Sequence, residues 1–302
     1  MPANKIEFNN EVLIDLTQDT ATEEDVAVGK TFHKADGSVA TGVARVGTVV
    51  EKDVNFYDYD GTLLYSYTVD EARNMEELPP LPKQPGLICQ EWNHTLEEVK
   101  DVDVAIDIGA TYITDDGKTR FYIEPFTDSF KVGLYLCKNV ANGARIDWGD
   151  GTPIENALYA STAMYDHTYA VKGEYVITVD VDDGVFVYLG GNSTGLQVFQ
   201  NYNHSTNTTN VFLKKVELGN RVAMFDRAFE NCVMLETITI PSLSLEYNNT
   251  ILPTYSLWGT HSLKCIVLPR SITRYNSNCM TYTGAKKIIF TKTATASGYY
   301  IA

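Results

Sequence analysis

Apolar positions along this chain recur mainly at every second residue, in short runs punctuated by Asp-Gly. Thr62-Leu63-Leu64-Tyr65-Ser66-Tyr67-Thr68 is β-branched and aromatic, and Tyr175, Ile177 and Val179 alternate along one strand face. A period of two predicts half-buried strands, because successive side chains on a strand point to opposite faces. Asp36-Gly37, Asp60-Gly61, Asp116-Gly117 and Asp150-Gly151 each stand between strand-like runs. They predict hairpin turns, since a type I′ turn needs positive φ at both central positions. One expected hairpin therefore joins residues 109 to 114 with 118 to 124. The approach from Glu51 to Asp58 also alternates, unlike the continuous apolar run of a buried parallel strand.

Helical patterning is sparse. Thr20 or Thr22 can cap a short helix in "TATEEDVAVGK", with acids in its first turn and Gly29 just after its end. Trp92 opens a second short helical stretch, "EWNHTLEEV", where core packing is the default role of the aromatic ring and a ligand platform the alternative. Between them Pro79, Pro80, Pro82 and Pro85 impose an extended, stiff segment, either a spacer or a packed strap.

Beyond about residue 184 a longer period takes over. Leu213-x-x-Val216-x-Leu218-Gly219, Leu235-x-x-Ile238-x-Ile240-Pro241, Leu263-x-x-Ile266-x-Leu268-Pro269 and Ala285-x-x-Ile288-x-Phe290 share one frame, at intervals of 22, 28 and 22 residues. Intervals of that size are a solenoid period, in which stacked rungs bury a column that no single rung buries alone. The chain is thus expected to be mainly β, built as serial small modules: residues 1–48, 49–120, 121–183 and 184–302.

Composition narrows the function classes. The 302 residues are 44% apolar, enough for packed cores. With 24 Lys plus Arg against 39 Asp plus Glu, the formal charge of −15 opposes nucleic acid and anionic membranes as partners. Cys89, Cys137, Cys232, Cys265 and Cys279 are odd in number, scattered and never C-x-x-C, so they imply neither a disulfide framework nor a zinc site. No secretory leader or membrane-spanning run is apparent, which suggests synthesis in a cytoplasm. The N-x-S/T triplets at Asn93, Asn192, Asn203, Asn207 and Asn248 then read as polar loops.

Asp58-Tyr59-Asp60-Gly61-Thr62 resembles the nucleophile loop of haloacid-dehalogenase-type phosphatases, and Asp115-Asp116 resembles that family's later acidic pair. In the family the first aspartate attacks phosphorus and the second moves a proton. Both stretches fit hairpin tips better, and too few residues separate them for the alternating strands and helices of such an enzyme.

Other resemblances are more specific. "LIDLTQDTAT" followed by "GKTFHKADGSVATGVA" looks like a small module of tailed-bacteriophage structural proteins, and the likeness to phage tail and virion-surface proteins continues to about residue 124. Trp148-Gly149-Asp150-Gly151-Thr152, His167-Thr168-Tyr169 and Gly173-Glu174-Tyr175-Val176-Ile177 closely resemble the signature of a PKD-type, immunoglobulin-like β-sandwich. There Trp148 leans into the core and His167 is a structural edge histidine; a metal or acid-base site with Asp147, Asp150 and Asp166 is the sharper alternative. Asp180, Asp182 and Asp183 are the oxygen-rich candidates for calcium. Ala228-Phe229-x-x-Cys232-x-x-Leu235 resembles the link of BspA-type leucine-rich repeats, which occur in bacterial adhesins and phage receptor-binding proteins.

These resemblances imply a bacteriophage structural protein on the virion surface, non-enzymatic and without cofactor. Its amino-terminal module would dock on other virion proteins, and its carboxy-terminal repeat would meet a host glycan or protein, in a trimer or larger homo-oligomer. Tyr247, Tyr255, Trp258, Tyr275 and Tyr282, in or near loops over that repeat, are the receptor-contact candidates. Alternatives are a capsid decoration or head fibre and, from another class, a depolymerase cutting surface glycan with paired carboxylates.

Overall fold

In the computed structural model the described residues are 5–8, 11–15, 17, 31–41, 51–191, 196–200, 210–242, 250–276, 278–292 and 295–297. Strand accounts for 42% of the chain and helix for 4%, in several sheets, so the protein is mainly β. Two compact units divide at Val50/Glu51. The helix expected after Thr20, four of the five N-x-S/T triplets and Tyr247 lie outside the described residues.

The first unit contains two antiparallel pairs, β1 (Lys5–Phe8) with β2 (Glu11–Asp15) and β3 (Thr31–His33) with β4 (Val39–Thr41). The expected turn joins β3 to β4. Gly37 takes φ +77°, and the Asp36 carboxylate accepts the Ser38 N–H at 2.8 Å, which fixes the reversal.

The second unit begins with a four-stranded sheet in the order β6-β5-β8-β7, made of β5 (Val54–Tyr57), β6 (Leu63–Tyr67), β7 (Leu87–Trp92) and β8 (Ile106–Thr114). Thr68 and Thr95 open one-turn helices, α1 (Val69–Arg73) and α2 (Leu96–Lys100), each held by a reciprocal capping box with Glu71 or Glu98. Both helices pack on one face through Ala72 and Val99, over a core of Val54, Phe56, Trp92 and Ile108. Trp92 ends β7 rather than opening a helix. Its indole N–H reaches the Pro79 carbonyl at 2.8 Å, so the proline segment is a packed strap.

β5 departs from its alternating sequence: all four residues are buried, and it runs parallel to β8 in the middle of the sheet. Asn55 is tolerated there because Ser66, the Lys52 backbone and Asp107 occupy its amide. The Asp116-Gly117 turn also differs from expectation. β9 (Thr119–Ile123) does not return along β8 but leaves for another sheet. Asp-Gly specifies a reversal, not which strands pair after it. Gly117 at φ +74° presents its carbonyl to the Asn220 N–H at 3.0 Å, and a Cβ on Gly219 would sit 2.1 Å from that carbonyl oxygen. Gly219 is thus required by close backbone approach, where the next two rungs have Pro241 and Pro269.

Two further sheets face each other. One is ordered β12-β11-β14-β9-β17-β19, the other β13-β10-β15-β18 with β16 also on β10. Their strands are β10 (Phe130–Lys138), β11 (Ala144–Asp147), β12 (Glu155–Asn156), β13 (Ser161–Tyr169), β14 (Tyr175–Val181), β15 (Val187–Leu189), β16 (Phe199–Gln200), β17 (Leu213–Glu217), β18 (Val222–Met224) and β19 (Thr237–Thr239). On β14, Ile177 and Val179 are buried and Tyr175 packs partly buried against the same core, as their alternation predicts; Val181 extends that face. The first of these sheets runs without interruption from residues 119–181 into the repeat through the β9–β17 pairing, and one apolar core spans both.

The repeat continues with β20 (Ile251–Leu252), β21 (Cys265–Val267), β22 (Arg274–Asn276), β23 (Lys287–Ile289) and β24 (Thr295–Ser297). The sequence frame is stacked in register: Val216 lies beside Ile238, and Ile266 beside Ile288, in parallel pairs. Backbone hydrogen bonds run rung to rung from Glu236 to Lys214 (2.8 Å), Lys264 to Glu236 (3.0 Å) and Lys286 to Lys264 (3.2 Å). Ile266 and Leu268 face the large core. Cys265 and Val267 face Tyr57, Leu63 and Ile289, so β21 is buried on both sides. The four-stranded sheet therefore covers the face of β21 and β23, while β20, β22 and β24 form a separate parallel sheet. Among the described residues no helix is long and apolar enough to cross a membrane.

Candidate functional site: an aromatic column on stacked turns

The turns linking successive rungs form a second ladder. Arg227, Phe229 and Asn231 donate backbone N–H groups to the Thr254, Ser256 and Trp258 carbonyls at 2.8 to 2.9 Å. In the next layer Leu257 and Gly259 donate to Cys279 and Thr281 at 2.8 and 3.0 Å. Each turn has two left-handed residues four positions apart: Arg227 and Asn231, Tyr255 and Gly259, Asn278 and Tyr282. Inward anchors hold the stack, with Ala228, Phe229 and Cys232 buried in the first turn, Leu257 in the second, and Cys279 and Met280 in the third. Burial pushes the Cys279 thiol up to about 12, which leaves it a packing group rather than a nucleophile.

The outward residues carry the aromatic rings. The Arg227 guanidinium lies 4.4 Å from the centre of the Tyr255 ring, and Asn278 donates to the Tyr255 hydroxyl at 3.2 Å. Trp258 meets Tyr255 and Tyr282 edge to face, with centroids 6.4 and 5.4 Å apart. Tyr282 is 65% exposed. Three of the candidate contact residues thus form one column. Tyr275 stands apart on β22, packed on Phe290 at 5.2 Å.

Left-handed backbone is nearly free for glycine and costs a tyrosine about 1 kcal/mol or more. Gly259 occupies the position equivalent to Tyr282, so the fold accepts glycine there. Tyr282 packs edge to face on Trp258, yet its ring stays largely exposed in this conformation. Backbone strain of this kind is the signal that points from structure to a function of the side chain.

The remaining sequence candidates serve the fold. Trp148 is buried and stacks on His167 at 4.8 Å with ring planes 10° apart. The His167 ring nitrogen Nε2 lies 2.8 Å from Asp150, whose other oxygen accepts the Thr152 N–H and hydroxyl. Tyr169 donates to the Trp148 carbonyl at 2.8 Å and packs on Tyr175. Asp150-Gly151 sits within the 148–154 loop between β11 and β12, with Gly151 at φ +83°. Partial burial raises the Asp150 pKa, but the Thr152 and His167 hydrogen bonds outweigh it and hold the carboxyl below its ordinary value. A depressed folded-state pKa gives stability that is present above the unfolded value and lost as pH falls through the folded one. Thermal unfolding followed from pH 5 to pH 2.5 should accordingly show a steeper loss below about pH 4 in the wild type than in Asp150→Asn.

Asp180 and Asp182 both bind Arg145, at 3.0 and 2.6 Å, and Asp183 binds Arg221. Among the described residues no group of three or more His, Cys, Asp or Glu is placed to hold a metal ion. In the phosphatase-like stretch, Asp58 is buried and accepts the Tyr59 N–H and the Gln84 side chain, while Asp60 accepts the Thr62 N–H. Asp116 accepts the Lys118 N–H and pairs with Arg120 at 2.8 Å. These acids close turns.

One triplet asparagine is not in a polar loop. Asn93 is fully buried, and its amide joins the four-stranded sheet to the last rungs. Its sequence context carried no signal for that role. Comparison with protein-family models, curated proteins and solved structures finds no match.

Proposed function

We propose that this chain is a non-enzymatic structural protein exposed on a bacteriophage virion, of the tail-fibre or baseplate adhesion type. Residues 1–48 attach it to other virion proteins, residues 121–183 form a PKD-like spacer, and the BspA-type leucine-rich repeat of residues 184–302 presents its turn column to a glycan or protein of the host envelope. The observation that carries this reading is the exposed Tyr282 in a left-handed position beside Trp258 and Tyr255. Aromatic rings bring contact area at low entropic loss and suit both sugars and protein surfaces. The four-stranded sheet covers the face formed by β21 and β23, and the turn column lies outside that contact. A homo-oligomer of three or more copies would multiply weak contacts.

Antibody raised against residues 250–292 and applied to intact particles tests the assignment by electron microscopy. Label at the tail tip or baseplate is expected. Label over the capsid would replace it with a head decoration, and absence of the chain from purified particles would overturn the virion assignment.

A further inference from the structure

Beside the aromatic column lies a groove of about 530 Å³, lined by Asp60 and Gly61 from the β5–β6 turn, by His261 to Lys264, and by Gly284, Lys286 and Lys287. It follows directly from the same turns, since His261 is three residues beyond Trp258 and Gly284 two beyond Tyr282. Gly284 is forced by close approach, because a Cβ there would lie 1.8 Å from the His261 carbonyl oxygen.

The charges in this groove are out of step with the rungs. Lys214, Glu236, Lys264 and Lys286 occupy one column, linked by the backbone bonds already described. Lys264 pairs with Glu236 at 2.7 Å, so the signs alternate up to that rung. Position 286 then carries a second lysine where alternation calls for an acid. Like charges on neighbouring strands about 4.8 Å apart repel. Lys287 is held by Glu51 at 3.1 Å and Asp107 at 3.0 Å over the Tyr57 ring. Asp60 at the rim is engaged by the Thr62 N–H. Among the described residues Lys286 makes no ion pair, whereas Lys264 and Lys287 are bound to acids, so Lys286 is the one uncompensated ammonium in the groove.

We propose that this groove binds an oxyanion, of phosphate or carboxylate type, carried on the surface polymer whose neutral part lies against the aromatic column. The proposal rests on the adhesion reading for the polymer, and on the groove alone for the anion. Lysine ammonium groups recognise such anions as point charges without demanding one geometry, which suits a repeating polymer.

Inorganic phosphate is the probe that separates the two. In the full chain, lysine side-chain NMR signals should shift saturably with phosphate in chloride-poor buffer. Lys286→Glu should weaken that binding by about tenfold or more while raising the unfolding temperature, because it restores the alternation with Lys264. Tyr282→Gly should leave phosphate affinity within about twofold of wild type. Loss of host binding in Tyr282→Gly but not in Lys286→Glu, together with unchanged phosphate binding in Lys286→Glu, would overturn the anion site and leave the adhesion reading standing. A linear, unsaturable phosphate response in the wild type would also overturn it.

Discussion

Replacing Asn93 with alanine is expected to destabilise the Glu51–Ala302 unit by about 4 kcal/mol, measured by denaturant unfolding. The side-chain nitrogen donates toward the carbonyls of Leu268 (3.1 Å), Phe290 (3.3 Å) and Ile289 (3.4 Å). The oxygen accepts the Gly109 N–H at 2.9 Å, with His94 Nδ1 3.0 Å away. Ile289 keeps the Leu268 N–H as a partner after the change. The Leu268 and Phe290 carbonyls and the Gly109 N–H lose the Asn93 amide, each at about 1–3 kcal/mol when left unpaired and buried. The packing leaves little room for repair, since a Cβ on Gly109 would already lie 2.4 Å from Val267. Asn93→Asp should be at least as damaging, because a carboxylate cannot donate to the two carbonyls.

Tyr282→Gly is expected to do the opposite: stability within about 1 kcal/mol of wild type, and host binding reduced by about a hundredfold or more on a multivalent particle. Removing the side chain forfeits the edge-to-face contact with Trp258, worth about 0.5–1.5 kcal/mol. It also relieves the left-handed strain, worth about 1–2 kcal/mol, so the two changes nearly cancel. A residue whose loss leaves the fold intact but removes adhesion is held for contact. Trp258→Ala should also lose binding, but with lower stability, because that ring is half-buried between its two tyrosine neighbours.

The parts of this architecture that depend on local periodicity were legible in the sequence. The Leu/Ile/Val frame anticipated which positions lie side by side, Val216 with Ile238 and Ile266 with Ile288, in two parallel pairs. Asp36-Gly37 gave its turn, because Gly37 supplies the positive φ. What failed depends on contacts distant in the chain. Asp116-Gly117 announced a reversal but not the transfer of β9 to a new sheet, which is set by Gly219 and Asn220 about a hundred residues later. Val54–Tyr57 looked half-exposed because a buried Asn55 interrupts its apolar run, and its burial is made tolerable by Asp107, Ser66 and the Lys52 carbonyl. The short helix expected from Trp92 opens instead at the Thr95/Glu98 capping box, and the single turn after the Thr68/Glu71 box was not expected at all.

Within the candidate site, the aromatic residues were visible by type, whereas their arrangement was not. Tyr255 and Tyr282 adopt positive φ without a glycine or asparagine to announce it. Tyr275 shares their composition but faces Phe290 on a strand. Asn93 matched a glycosylation triplet, and its burial makes it a clasp instead.

Adsorption to cells of the host on which the particles propagate, compared between particles carrying the wild-type chain and particles carrying Tyr282→Gly, bears most directly on the proposed role of the turn column. The unfolding of both purified chains is followed in parallel. Loss of adsorption with an unchanged unfolding midpoint is the expected result; full adsorption by the Tyr282→Gly particles would contradict it.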